Sequence, residues 1–263
     1  MTDDAGGPRQ PSTSSSPNLD RRTRLRGLVV VGSRTAATPI RRRFPLRAFR
    51  RLHRTLRRAA PDRRTDADPF TLRWVSPDRI CESVLESAPK RPQWGRVVGG
   101  EWDCEHHRES FGDRPVPTAL RQRFRDGVAW AETPLYDHFR DQLNRFGNAW
   151  GYRTAAGFAA RCAEIERLHR SMRRHGYREG REIDGAVPIL DEIGVDVARD
   201  GTLLWRGYGQ HRLAIAKLLD IERVPVLVHR RHAEWQAVRD RTRERGEPPA
   251  EHAAHPDLRD LVD

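Results

Sequence analysis

The run of residues 193–228 constrains the fold of this 263-residue chain more than any other part of its sequence. Apolar residues alternate from Ile193 to Val197, as in a strand that buries one face. The pair Asp200-Gly201 follows, and such a pair between two strand-like runs indicates a hairpin. A helix is then predicted from about Gln210 to Leu219, and a last strand, VPVLVH, begins at Val224. This order of strand, turn, strand, helix and strand predicts an α+β fold with a small mixed sheet.

The part of the chain before this run is predicted to be mainly helical. Apolar periodicity predicts two helices between Pro117 and Phe146, and a third that Thr154 caps and Gly176 ends. Short strands are predicted at Phe70–Trp74 and before Gly99-Gly100. The predicted organisation has four parts. A disordered, Arg-rich segment, 1–65, is followed by a mainly helical extension, 66–160. An α+β domain, 161–235, with helices in the C-terminal half of the chain, is followed by a polar helical tail, 236–263.

Positive charge is concentrated at the N-terminus. Residues 1–65 carry 17 arginines and four aspartates, a net charge of +13, whereas the remaining 32 basic and 33 acidic residues give −1. The high sequence pI of about 10.8 is therefore due to residues 1–65, which we call the arm, and not to the domain that follows. Within the arm, residues 45–60 are predicted to form a basic amphipathic helix with Leu46, Phe49, Leu52 or His53, and Leu56 on one stripe. Two interpretations remain open: the stripe packs on the main domain, or the Arg-rich residues 21–65 bind nucleic acid or an anionic surface.

The motif GYGQHR, Gly207–Arg212, is the strongest candidate for a binding site. The first turn of a helix exposes backbone N–H groups and carries partial positive charge, so it attracts anions. Gly207 and Gly209 would let the backbone approach a phosphate, and Arg212 could contact two of its oxygens. His211 could donate to a phosphate or transfer a proton. The competing interpretation is a tight turn in which Arg212 pairs with Asp200 or Asp220.

Two stretches together resemble the ParB/sulfiredoxin superfamily. They are LHRSMRRHGYREGREI, which begins at Leu168, and DGTLLWRGYGQHRLAIAKLLDIERVPVLV, which begins at Asp200. The match covers about residues 168–232, and the layout, with GGEWD at Gly99–Asp103, is similar to that of uncharacterised ParB-like proteins. The resemblance implies that Gly209, Gln210, His211 and Arg212 hold the phosphates of ATP or CTP, with Mg²⁺ as the accompanying ion.

The sequence departs from two branches of that family. Sulfiredoxins have a catalytic cysteine where this chain has Gln210, so sulfinic acid reduction is not expected. Partitioning proteins continue into a helix-turn-helix domain, whereas about thirty polar residues follow His232 here. A third branch contains kinases that use a carboxylate base, which makes Glu192, or its neighbour Asp191, a candidate catalytic residue beside His211. A solvent-facing acidic pair at a strand end is the alternative interpretation.

Other features narrow the function classes. The three cysteines are widely spaced, which does not indicate a disulfide framework and favours a cytoplasmic protein. Cys104–His107 offers metal-capable side chains, but adjacent ligands rarely converge on one ion, so no metal site is predicted. Two functions are therefore expected as alternatives: a nucleoside phosphate-binding protein with kinase or NTPase activity, or a non-catalytic module that works through its Arg-rich arm. The oligomeric state is left open.

Overall fold

The structure is a computed structural model that describes residues 46–85, 93–178 and 192–262. Within these residues the fold is a seven-stranded mixed sheet with six α-helices, which confirms the predicted α+β class. The strands are β1 (Leu72–Val75), β2 (Glu82–Val84), β3 (Arg96–Val98), β4 (Arg108–Ser110), β5 (Ile193–Val197), β6 (Leu203–Trp205) and β7 (Val224–His232). The helices are α1 (Leu46–Ala59), α2 (Pro115–Arg125), α3 (Pro134–Phe146), α4 (Gly157–His175), α5 (Gln210–Leu218) and α6 (Ala233–Arg245).

Strand β7 organises the sheet. Its first half pairs antiparallel with β1 on one edge, and its second half pairs parallel with β3. Its other edge pairs parallel with β5, and the sheet continues through β6, β2 and β4. The hairpin predicted at Asp200-Gly201 joins β5 to β6 and is confirmed. Four of the seven strands come from residues 66–160, so the sheet unites the predicted extension with the predicted C-terminal domain.

Every residue of β7 is buried, because both faces of the sheet are covered. Val226 and Val228 face the main core, which also contains Leu213 and Ile215 of α5. Leu227 points to the opposite face, as the alternation of a strand requires, and packs with Phe70 and the side of α1. The sheet therefore has α5 on one face and α1 on the other.

The upstream helices agree with the apolar pattern, apart from one cap. Helices α2 and α3 are the predicted pair, and α4 buries Phe158 and Cys162 before it ends at Gly176, whose φ is 71°. The predicted cap at Thr154 is wrong, because α4 begins after Ala156. No side chain among the described residues caps the first N–H groups of this helix. Thr154 lies in the preceding turn and accepts a hydrogen bond from Gly157 through its carbonyl.

Helix α1 packs on the domain through only part of its apolar stripe. Phe49 lies edge-on to Phe70 with ring centroids 5.4 Å apart, and buried His53 contacts the carbonyl of Thr65 at 3.1 Å. Leu52 and Leu56 remain 49% and 37% exposed. The packing interpretation therefore holds for one side of the helix, while the other sides face solvent. Residues 21–45 of the arm lie outside the described residues.

The segment after α6 is anchored by a buried cluster of charges. Asp257 accepts hydrogen bonds from Arg231, Arg73 and the indole N–H of Trp235 at 2.5–3.0 Å. Arg239 pairs with Asp66 and Asp260 and also donates to the carbonyl of Asp257. Residues 255–258 are buried, so the predicted polar tail contributes to the interior of the protein. Among the described residues, no helix is long and apolar enough to cross a membrane.

Candidate functional site

The GYGQHR turn connects β6 to α5 and sets where α5 begins. Gly207 has φ 100° and Gly209 has φ 66°, and α5 starts at Gln210 as predicted. No side chain among the described residues caps the first turn. The first amides of a helix have no acceptor within the helix itself, so this end of α5 carries partial positive charge.

Gly209 is required by the packing of the turn. A Cβ at this position would lie 2.8 Å from the Cα and from Cγ1 of Ile193, and the left-handed φ disfavours any side chain. The glycine thus lets α5 begin directly against β5. Its presence has a structural explanation and does not by itself indicate a ligand.

A buried ion pair fixes the residue that precedes this turn. Arg206 donates to Oδ2 of Asp196 at 2.6 Å, and Arg230 donates to the same oxygen at 2.8 Å. The guanidinium of Arg230 in turn lies 3.8 Å from the ring centre of Trp102. Removing Asp196 would take the shared carboxylate away from both buried arginines next to the GYGQHR turn.

Glu192 and Arg212, both predicted site residues, are in direct contact. Nη1 of Arg212 donates to Oε2 of Glu192 at 2.9 Å, and the hydroxyl of Tyr177 donates to the same oxygen at 2.7 Å. Burial raises the pKa of Tyr177 far above its usual range, so the hydroxyl keeps its proton and remains a donor. The pairing expected for Arg212 with Asp200 or Asp220 is thus replaced by pairing with Glu192.

Glu192 is not a solvent-facing residue. It is 2% exposed, which excludes the alternative interpretation of an acidic side chain at an open strand end. Glu192 immediately precedes β5 and contacts Arg212 in the first turn of α5. Its neighbour Asp191 lies outside the described residues.

His211 lies in a second cluster on the other side of the helix start. Nη2 of Arg161 is 3.2 Å from Nδ1 of His211, and the indole of Trp150 is edge-on to the imidazole at 5.6 Å. Burial lowers the pKa of His211 well below its usual value, and the charges of Arg161 and His138 lower it further. Nη2 of Arg161 also lies 3.4 Å from Nε2 of His211, so the guanidinium can donate to either ring nitrogen. His211 is therefore poorly arranged to take up a proton.

Trp150 is held in an unusual backbone conformation beside this cluster. Its φ is 51°, and Gly151 follows with φ 99°, while Ala149 and Tyr152 exchange both backbone hydrogen bonds at 2.8 and 3.0 Å. Positive φ at both central positions is the type I′ arrangement, which favours Asn or Gly over a bulky residue. Backbone strain of this kind persists where surrounding contacts impose it. Here it holds the indole against His138, Arg161 and His211.

The structure brings together all of the predicted site residues that it describes. Gly207, Gly209, Gln210, His211 and Arg212 form the turn and the first turn of α5, and Glu192 contacts Arg212. Sequence reasoning missed Tyr177, Arg161 and Trp150, which complete the contacts around them. Of these three residues, only Trp150 had a local sequence signal: the glycine that follows it is typical of a tight turn whose central residues have positive φ.

A separate surface cavity of about 440 Å³ lies at the opposite end of α5, lined by Trp74, Lys217 and Arg223 among others. Its walls also carry Asp78, Asp220 and Glu222, so opposite charges alternate and select no class of ligand. Within the described parts of the chain, no three His, Cys, Asp or Glu side chains are arranged to hold a metal ion. The GYGQHR turn thus remains the candidate site.

Comparisons of the chain with protein-family models, with curated proteins and with solved structures found no match.

Proposed function

We propose that the start of α5 binds the phosphates of a nucleoside triphosphate, ATP or CTP, together with Mg²⁺. The observation that carries this proposal is the electrostatic environment of His211. The guanidinium of Arg161, which also pairs with Glu164 at 2.9 Å, lies 3.2 Å from this ring. A guanidinium at this position attracts an anion, and the partial positive charge of the α5 terminus acts in the same direction.

Each site residue has a specific part in this proposal. The backbone amides of Gln210 and His211 would contact phosphate oxygens, and the ring N–H of His211 would donate to one more. Arg212 would contribute its charge from a position fixed by Glu192 and Tyr177. The ion would arrive bound to the phosphates, since the nucleotide itself supplies the oxygen ligands that Mg²⁺ prefers.

Phosphoryl transfer or hydrolysis is the finer part of the proposal. Glu192 is the candidate base, because it is the carboxylate in contact with the helix start. Phosphoryl transfer depends mainly on positioning and on stabilising charge, and a carboxylate that orients the attacking hydroxyl fits this requirement. We therefore propose a nucleotide-dependent kinase or NTPase, in which Glu192→Gln retains binding and loses turnover.

The binding test uses the full chain and the substitution Gln210→Glu. A carboxylate in the first turn of a helix stabilises it by about 0.3–1 kcal/mol, but it would repel a phosphate at the same place. Titration calorimetry with ATP, CTP and GTP plus Mg²⁺ should show binding of one nucleotide by the wild type and at least a tenfold weaker affinity for Gln210→Glu. The control Asn144→Asp adds the same charge on exposed α3 and should bind as the wild type does.

Two results would reject the proposal. One is that none of the three nucleotides binds the wild-type chain. The other is that Gln210→Glu, shown to be folded by its melting temperature, binds as tightly as the wild type. A histidine NMR titration gives an independent measure, because a bound phosphate should raise the pKa of His211 above its value in the free protein.

A further inference from the structure

Four arginines form a straight row along the exposed side of α1. They are Arg47, Arg51, Arg54 and Arg58, which we call the arginine stripe. Their spacing of four, three and four residues places them within one narrow sector of the helix surface. All four are exposed, whereas Phe49 and His53 turn towards the domain.

The charge of the stripe is not balanced locally. Helix α1 contains no acidic residue, and Arg50, outside the stripe, pairs with Asp68 at 2.6 Å. None of the four stripe arginines has an ion pair with a carboxylate among the described residues. Four like charges over about 16 Å of helix repel each other and so favour a partner with a row of negative charges.

The leucines of α1 lie on a different side from the stripe. At 100° per residue, exposed Leu52 and Leu56 are about 150° around the helix from the arginines. A membrane-bound helix carries basic residues on its polar face and inserts a broad apolar face on the opposite side. Much of the apolar face of α1 is already packed on Phe70 and Trp94, so only two leucines remain exposed. The arrangement therefore favours a partner that contacts the arginines alone.

We propose that the arginine stripe binds the phosphate backbone of duplex DNA without reading its bases. Arginines held in a row on a packed helix match the fixed, regularly spaced phosphates of a duplex. The stripe presents no aromatic side chain on which the bases of a single strand could stack. The site is independent of the GYGQHR turn, since α1 and α5 cover opposite faces of the sheet.

The test compares two full-length variants that lose the same charge. One replaces all four stripe arginines with glutamine. The control replaces Arg121, Arg125, Arg173 and Arg174, which are exposed on α2 and α4, with glutamine. Binding to a duplex DNA of arbitrary sequence is measured by fluorescence anisotropy at salt concentrations from about 50 to about 200 mM. Parallel titrations use a duplex RNA and vesicles containing phosphatidylserine.

The expected result is a change in salt dependence. Each phosphate contact contributes about 0.9 to the slope of log K against log salt, so losing four lowers the slope by about 3.6. Between about 50 and about 200 mM salt, the factor by which affinity falls should then be about 150-fold smaller for the stripe variant than for the wild type. The control should retain the wild-type slope, and a second unrelated DNA sequence should give the same values.

Three outcomes would overturn the proposal. The first is a stripe variant that binds DNA with the wild-type slope, which would assign the binding to other parts of the chain. The second is an equal loss in the control, which would show that only net charge matters. The third is that the substitutions weaken binding to the vesicles or to the RNA and leave DNA binding unchanged.

Discussion

Replacing Asp257 with asparagine should destabilise the protein more than any other single change of charge that we predict. Asp257 is fully buried and accepts two hydrogen bonds from Arg231 and one from Arg73. These arginines hold the pKa of the carboxyl far below its usual range, despite burial, which acts to raise it. Asparagine keeps the shape of the side chain and removes the charge.

The magnitude follows from which arginine loses its partner. Arg73 keeps Asp260 at 3.1 Å, whereas Arg231 has no other carboxylate partner among the described residues. Nη1 of Arg231 is already buried without a hydrogen bond there, so the substitution leaves a buried cation uncompensated. Breaking a buried pair in this way costs about 3–5 kcal/mol, which corresponds to about 6–20 °C in melting temperature for a chain of this size.

The assay is urea unfolding followed by circular dichroism, with Asp141→Asn as the matched control. Asp141 forms an exposed pair with Arg145 on α3, so its loss should change the free energy of unfolding by less than about 0.5 kcal/mol. If Asp257→Asn shifts the urea midpoint no more than Asp141→Asn does, the cluster contributes little and the reasoning fails.

Three further results are expected. Asp220 has φ 50° just after α5, so Asp220→Asn should raise the free energy of unfolding by about 0.5 kcal/mol in urea titrations, and a lower value would contradict this. His255 donates to the carbonyl of Gly201 and accepts from the amide of Asp257, which fixes a neutral ring, and burial lowers its pKa to about 4. The unfolded chain binds that proton first, so stability should fall by about 3 kcal/mol as pH drops from about 6.5 to about 4, and His255→Gln should remove this slope. Burial raises the pKa of Cys162 to about 11, so iodoacetamide at pH 8 should label exposed Cys81 and spare Cys162 in the folded protein, as mass spectrometry would show.

Local patterns in the sequence predicted the elements that are determined by neighbouring residues. The hairpin at Asp200-Gly201 and the start of α5 at Gln210 were predictable because a turn or a helix end depends on the conformation of a few residues. Glu192 was a candidate for a different reason: it lies just before a predicted strand, and the kinase branch of the resembling family uses a carboxylate base.

Contacts between distant segments could not be predicted in the same way. The parallel pairing of β3 with β7 joins residues more than 130 positions apart, and nothing in the sequence RVV specifies that register. The partners of His211 and Glu192 are likewise remote, since Arg161 lies on α4 and Tyr177 follows it. Asp257 appeared to be one acidic residue in a polar tail, because burial of a charge depends on partners that only the folded structure supplies.

The position of β7 has a consequence for the order in which the chain is built on the ribosome. Strands β1 and β3 find their partner only when residues 224–232 have been synthesised. At about 5–20 residues per second, the interval between Val75 and Val224 lasts about 7–30 s. Throughout that interval the edges of both strands lack the β7 partner that they have in the folded protein. The local helices α2 to α4 are completed meanwhile, so β1 and β3 should join the sheet after these helices have formed.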